Sequence, residues 1–126
     1  MSGPSLYERL GEEALVAVLT RFYERAFADP IIGHLFFGRD REHLTRQQID
    51  FARSLLGGPM RYRGKPLLHA HRPLLIRPPH FARRQVLMAE VLEELGVAPD
   101  ISREWLERED NLRPLIMSGD LSTCRD

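Results

Sequence analysis

An all-α fold is predicted by three features of the 126-residue sequence. Apolar residues recur at steps of three and four along separate segments, which puts them on one face of a helix. Glycine and proline stand where those segments begin and end. Beyond short stretches, nothing alternates polar and apolar at the period of two that a strand requires.

Each element follows in order. A short first helix is expected over Ser5 to Leu10. A second runs from Glu12 to Ala28, with Leu15, Val18, Leu19, Phe22, Tyr23, Ala26 and Phe27 on one face. Glu12 and Glu13 favour the positive end of its dipole. Asp29-Pro30 stops it, because the residue before proline avoids helical angles. A turn leads to Leu35-Phe36-Phe37-Gly38. Asp40 is placed to cap a third helix carrying Leu44, Gln48, Phe51, Ala52, Leu55 and Leu56. Gly57-Gly58-Pro59 ends it. A fourth runs from Pro79 to Leu95, with Phe81, Leu87, Met88, Val91, Leu92 and Leu95 inward and Gly96 closing it. The last begins after Pro99-Asp100 and turns Trp105, Leu106, Leu112, Leu115 and Ile116 inward, with Pro114 kinking or ending it.

The length fits one domain, residues 1–126, with 1–4 and 119–126 as flexible tails. Lys+Arg and Asp+Glu balance at 18 each, so the chain lacks the basic footprint of a nucleic-acid or acidic-membrane partner. A single cysteine, Cys124, excludes a disulfide framework, a cysteine-ligated zinc and an iron–sulfur cluster within one chain. No apolar run is long enough to span a membrane. Met1-Ser2-Gly3-Pro4 does not open a secretory signal, which makes the cytoplasm the expected location. Walker, dinucleotide-binding, zinc-protease and serine-hydrolase motifs are all missing.

Two features do not fit a plain bundle. The stretch from Gly57 to Pro79 is long and rich in glycine and proline, yet ends in the apolar run Leu74-Leu75-Ile76. Long loops in small domains usually serve a function, and a bound cofactor would give this one a surface to pack on. Polar residues also sit on apolar stripes. Gln48 lies between Leu44 and Phe51, and Tyr23 between Leu19 and Phe27. Either they bond one another in the core or they share a ligand. His80, preceded by Pro78-Pro79, should open the fourth helix. Arg83 and Arg84, one turn on, fit a solvated pair.

The segments Phe22-Tyr23-Glu24-Arg25, Ala28-Asp29-Pro30, Phe36-Phe37, Arg46 to Phe51, Leu56-Gly57-Gly58-Pro59, Tyr62 to Pro66, Ala70-His71 and His80-Phe81 occur in this order over residues 5 to 118. Together they resemble the truncated haemoglobins, most closely the first group. The resemblance implies a shortened globin, two helices packed over two, enclosing haem b. It implies His80 as the iron ligand, Tyr23 and Gln48 as distal hydrogen-bond donors and Leu44 at the distal-histidine position. It also implies Phe36 against the haem face, Phe22, Phe51 and Phe81 lining the pocket with Leu75, and His71 near a propionate. His43 adjoins Leu44, but only Leu44 shares the Gln48–Leu55 stripe.

The function implied is reversible binding of dioxygen, carbon monoxide and nitric oxide. One alternative is conversion of nitric oxide to nitrate, which needs an external reductase. Another is a haem-free helical interaction module, for which His80, Tyr23 and Gln48 would have no use.

Overall fold

The computed structural model of the chain describes residues 3–59 and 77–113. Among these the regular structure is entirely helical: α1 Leu6–Leu10, α2 Glu12–Ala28, a 3₁₀ turn Gly33–Phe36, α3 Arg41–Leu55, α4 Pro78–Glu94 and α5 Pro99–Asp110. The predicted order and type of elements hold. The expected positions of Leu115, Ile116 and Pro114 lie outside the described residues, as do His71 and Leu75.

Local chemistry sets each boundary. Ser5 caps α1 through a reciprocal box: its Oγ accepts from the Glu8 N–H at 3.0 Å, and Glu8 accepts from the Ser5 N–H at 2.9 Å. Gly11, at φ +96°, turns the chain between α1 and α2. Asp40 caps α3 by accepting from the His43 N–H at 3.1 Å. Two prolines open α4, where missing N–H groups cost nothing. Gly58 is required by close approach, because a Cβ there would stand 2.9 Å from the Tyr7 ring.

α2 is the central element. It packs against α3 on one side and α4 on the other, α4 packs on α5, and α1 bridges α2 and α5. The core along it is apolar: Leu15, Val18, Leu19, Phe22 and Ala26 are buried, joined by Phe81, Leu87, Met88, Val91 and Leu92 from α4 and by Trp105 from α5. Leu95 departs from expectation and is 41% exposed. α4 ends at Glu94, so Leu95 is the C-cap residue, beyond the last packed turn.

Asp29 does more than end α2. Its carboxylate accepts from the N–H groups of Ile31 at 2.9 Å and Ile32 at 3.0 Å, and from Arg83 Nη2 at 2.7 Å. The Arg83 guanidinium, followed by these backbone donors, holds its pKa below the usual carboxylate range against the cost of burial. The expectation of a solvated Arg83 is therefore corrected: it clamps the start of α4 to the end of α2. At the other end of α2, Arg53 and the Tyr7 hydroxyl pull Glu12 from 4.5 to about 2. Both groups are depressed on folding, so the stability they contribute is present above the ordinary carboxylate range and is lost as pH falls. Urea unfolding should show stability dropping between about pH 4.5 and 2. At neutral pH, Asp29→Asn should lower stability by about 1–3 kcal/mol, as the loss of a charged partner to two backbone N–H groups and a part-buried guanidinium does. Glu12→Gln, at a solvent-exposed pair, should cost less than about 1 kcal/mol.

Candidate ligand pocket

Tyr23 lies toward the C-terminal end of α2 and is 5% exposed. Its ring meets Phe22 edge to face at 4.8 Å and Phe36 at 6.1 Å. Phe36, from the 3₁₀ turn, stacks on Phe27 at 4.7 Å and 15°. Leu44 and Gln48 follow on adjacent turns of α3 and are buried, whereas His43 is exposed. The helical stripe thus separates Leu44 from His43 as expected.

Gln48, Phe51, Ala52 and Leu55 of α3, with Leu19 of α2, form one wall of a cleft. Phe81, Arg84, Glu109 and Leu112 form the other. The space enclosed between them is small, about 20 Å³. Phe51 and Phe81 line this cleft. Phe22 lies outside it, buried beneath the Arg84 guanidinium, whose carbon lies 4.9 Å from the ring centroid. The Tyr23 phenol interacts with the Arg84 guanidinium.

His80 opens α4 as predicted and is partly buried. Its ring packs edge to face on His34 at 5.3 Å, and its Nδ1 is buried with no hydrogen-bond partner among the described residues. It is not part of the cleft wall, which its neighbour Phe81 enters instead.

Arg84 is the residue that sequence reasoning missed. The expectation of a solvated side chain is corrected by its pairing: Nη1 donates to Glu109 Oε1 at 2.7 Å, and Glu109 Oε2 accepts from Trp105 Nε1 at 2.9 Å. The signal was present, since Arg84 stands three residues after Phe81 and four before Met88, and Glu109 four after Trp105. Two opposite charges on inward stripes predict a buried pair. Burial works against the Arg84 charge, but the Glu109 carboxylate and the Tyr23 phenol outweigh it and raise its pKa. At Tyr23 burial pushes the phenol pKa up, Arg84 pulls it down, and Glu109 adds a smaller upward push.

Removing one member of this pair strands the other in the core. Glu109→Ala should cost about 3–5 kcal/mol, whereas replacing both charges together, Arg84→Met with Glu109→Leu, should be near neutral. Urea unfolding curves of the two variants check the difference.

The chain matches the bacterial-like globin family over residues 5–118. A group 1 truncated haemoglobin of Tetrahymena pyriformis is 39% identical over 101 residues, covering 79% of this chain and 84% of that protein. The GlbN group 1 truncated haemoglobin of Mycolicibacterium paratuberculosis is 33% identical over 117 residues, covering 92% and 86%. The crystal structure of the T. pyriformis protein in its Fe(III) form superposes with a TM-score of 0.85 at 35% identity, covering 90% of this chain and 98% of that one. Variants of that protein at one tyrosine and at two glutamines superpose with TM-scores of 0.84 to 0.85. The 2/2 haemoglobin of Synechococcus, solved in the cyanomet state with covalently attached haem, gives 0.85 at 26% identity and covers 91% and 99%. The all-helical architecture and these matches agree: the chain belongs to the bacterial-like globin family and is a truncated haemoglobin similar to the group 1 proteins it matches.

Proposed function

We propose that the chain binds haem b non-covalently and uses it to bind dioxygen and other diatomic gases reversibly, with Tyr23 and Gln48 as hydrogen-bond donors to the gas. Membership of the family implies a haem. The observation that supports the finer reading is that two polar side chains on packed helices, Tyr23 on α2 and Gln48 on α3, are buried, with Gln48 in the cleft wall. Buried polar side chains are kept where they find hydrogen-bond partners, and a small polar ligand between the helices would give both one, whereas a haem-free interaction module would have no use for either.

The side-chain chemistry fits a haem: Leu19, Phe51, Ala52, Leu55, Phe81 and Leu112 offer apolar surface of the kind a porphyrin face packs on, and His80 carries a buried ring nitrogen with no partner among the described residues. When bound, haem supplies the iron centre at which a diatomic gas is held. The chain supplies the donors. Spacing supports their roles: in the T. pyriformis protein the substituted tyrosine and one substituted glutamine stand 25 positions apart, as Tyr23 and Gln48 do. Its other substituted glutamine, 21 positions from the tyrosine, corresponds in spacing to Leu44, so this chain keeps one amide where that protein has two. The sequence has no C-x-x-C-H, which favours non-covalent attachment.

The iron ligand in this reading is a histidine of the segment that leads into α4. His80 is one candidate, with a buried ring nitrogen that has no partner. His71 is the second, favoured by the placement of His80 against His34 rather than in the cleft wall; His71 itself lies outside the described residues. Haem titration of the wild type, His80→Ala and His71→Ala, followed at the Soret band, separates them. The variant that loses the band identifies the ligand. A wild-type band in both would overturn histidine ligation from this segment.

The donor roles have their own measurement. Tyr23→Phe keeps the ring and removes the hydroxyl, so dioxygen release from the loaded protein should quicken about tenfold to hundredfold. Gln48→Leu should act in the same direction but less, and the double variant should be non-additive because the two donors share one ligand. Carbon monoxide, less polar when bound, should respond less. Unchanged dioxygen release in Tyr23→Phe would place the phenol away from the ligand.

A further inference from the structure

We infer that Arg84 is a positioning residue for the Tyr23 phenol: its guanidinium, anchored by Glu109 and Trp105, polarises the phenol so that the pocket favours ligands bearing negative charge over neutral ones. The inference rests on the haem-globin reading above and goes beyond it, because it assigns ligand preference to a buried ion pair on α4 and α5.

The geometry supports it in three ways. The guanidinium covers the Phe22 ring at 4.9 Å, and Phe22 in turn meets the Tyr23 ring at 4.8 Å, so the cation is lodged beside the phenol's own aromatic cluster. It cannot swing freely, because Nη1 is held at 2.7 Å by Glu109 Oε1 and at 3.2 Å by Gln85 Oε1, while Trp105 fixes Glu109 from behind. Arg84 also shares the cleft with Gln48, the second donor.

Glu109 does not cancel the charge where it matters. At the phenol the pull of Arg84 outweighs the push of Glu109, so the pair presents a net positive field there. A phenol beside a cation gives up its proton more readily and is therefore a stronger donor. Hydrogen bonds to charged groups are roughly twice as strong as neutral ones, so a ligand carrying negative charge gains most from that donor. A neutral ligand gains little. Because Arg84 acts through Tyr23, its influence should disappear when the hydroxyl does.

The test uses the haem-loaded chain. The variants are Arg84→Met with Glu109→Leu, Arg84→Lys, and Glu109→Gln, each made with and without Tyr23→Phe. The readouts are the infrared stretching frequency of bound carbon monoxide, azide affinity of the ferric form and carbon monoxide affinity of the ferrous form. Removing both charges should raise the stretching frequency and weaken azide about tenfold, with carbon monoxide affinity little changed. Arg84→Lys should restore most of the wild-type frequency. Glu109→Gln should move it the opposite way, which a merely structural role would not do. All of these differences should vanish in the Tyr23→Phe background. A normal Soret band with unmoved frequency and azide affinity would overturn this inference alone, as would effects that persist without the Tyr23 hydroxyl. A wild-type chain with no Soret band would overturn the haem reading and this inference with it.

Discussion

The pocket depends on α2 having to bury two faces at once. One side of the helix packs on α3 and the other on α4, and Leu15, Val18, Leu19 and Phe22 lie between them at 2% exposure or less. A helix held on both sides cannot rotate without pulling several large side chains out of the core, each worth about 1.5–3 kcal/mol of burial. Its rotation about its own axis is therefore fixed, and with it the direction of Tyr23. Packing delivers the phenol to the interior, beside the Arg84 guanidinium.

Charge then refines what packing sets. Arg83 and Arg84 are neighbours on α4 and diverge to different tasks. Arg83 reaches back to Asp29 and ties the two helix ends together, while Arg84 turns inward to Glu109 and Trp105. Breaking one partner of such a buried pair is expensive, but the pair as a whole contributes little more than apolar residues of the same size. The Arg84–Glu109 pair is thus a weak source of stability and a strong source of local field. That balance is what a residue acting on a pocket requires.

The helices were legible because their signals are local. Asp40, the paired prolines at 78 and 79 and Gly96 act within a turn of where they stand. Tyr23, Gln48 and Leu44 were legible for a related reason: the inward stripe of a helix is a matter of spacing alone. Arg84 and Glu109 also lie on such stripes, but they are 25 residues apart on different helices, and only the packing of α4 on α5 reveals that each answers the other. Asp29 looked like a stop signal because Pro30 follows it, and its partner Arg83 lies 54 residues away. His80 could be placed at the start of a helix but not aimed. A residue in a first turn has few neighbours to set its direction, and here the ring turned toward His34.

The most direct test is the visible spectrum of the purified chain titrated with haem, recorded ferric, after reduction and under carbon monoxide. On the proposed reading, Leu44, Tyr23 and Gln48 face the gas, and none of them is a strong nitrogen ligand. The predicted result is saturation at one haem per chain, a five-coordinate ferrous spectrum with a single broad visible band, and a sharp Soret shift on adding carbon monoxide. Failure to saturate, or a split low-spin ferrous spectrum showing a second nitrogen ligand, would contradict it.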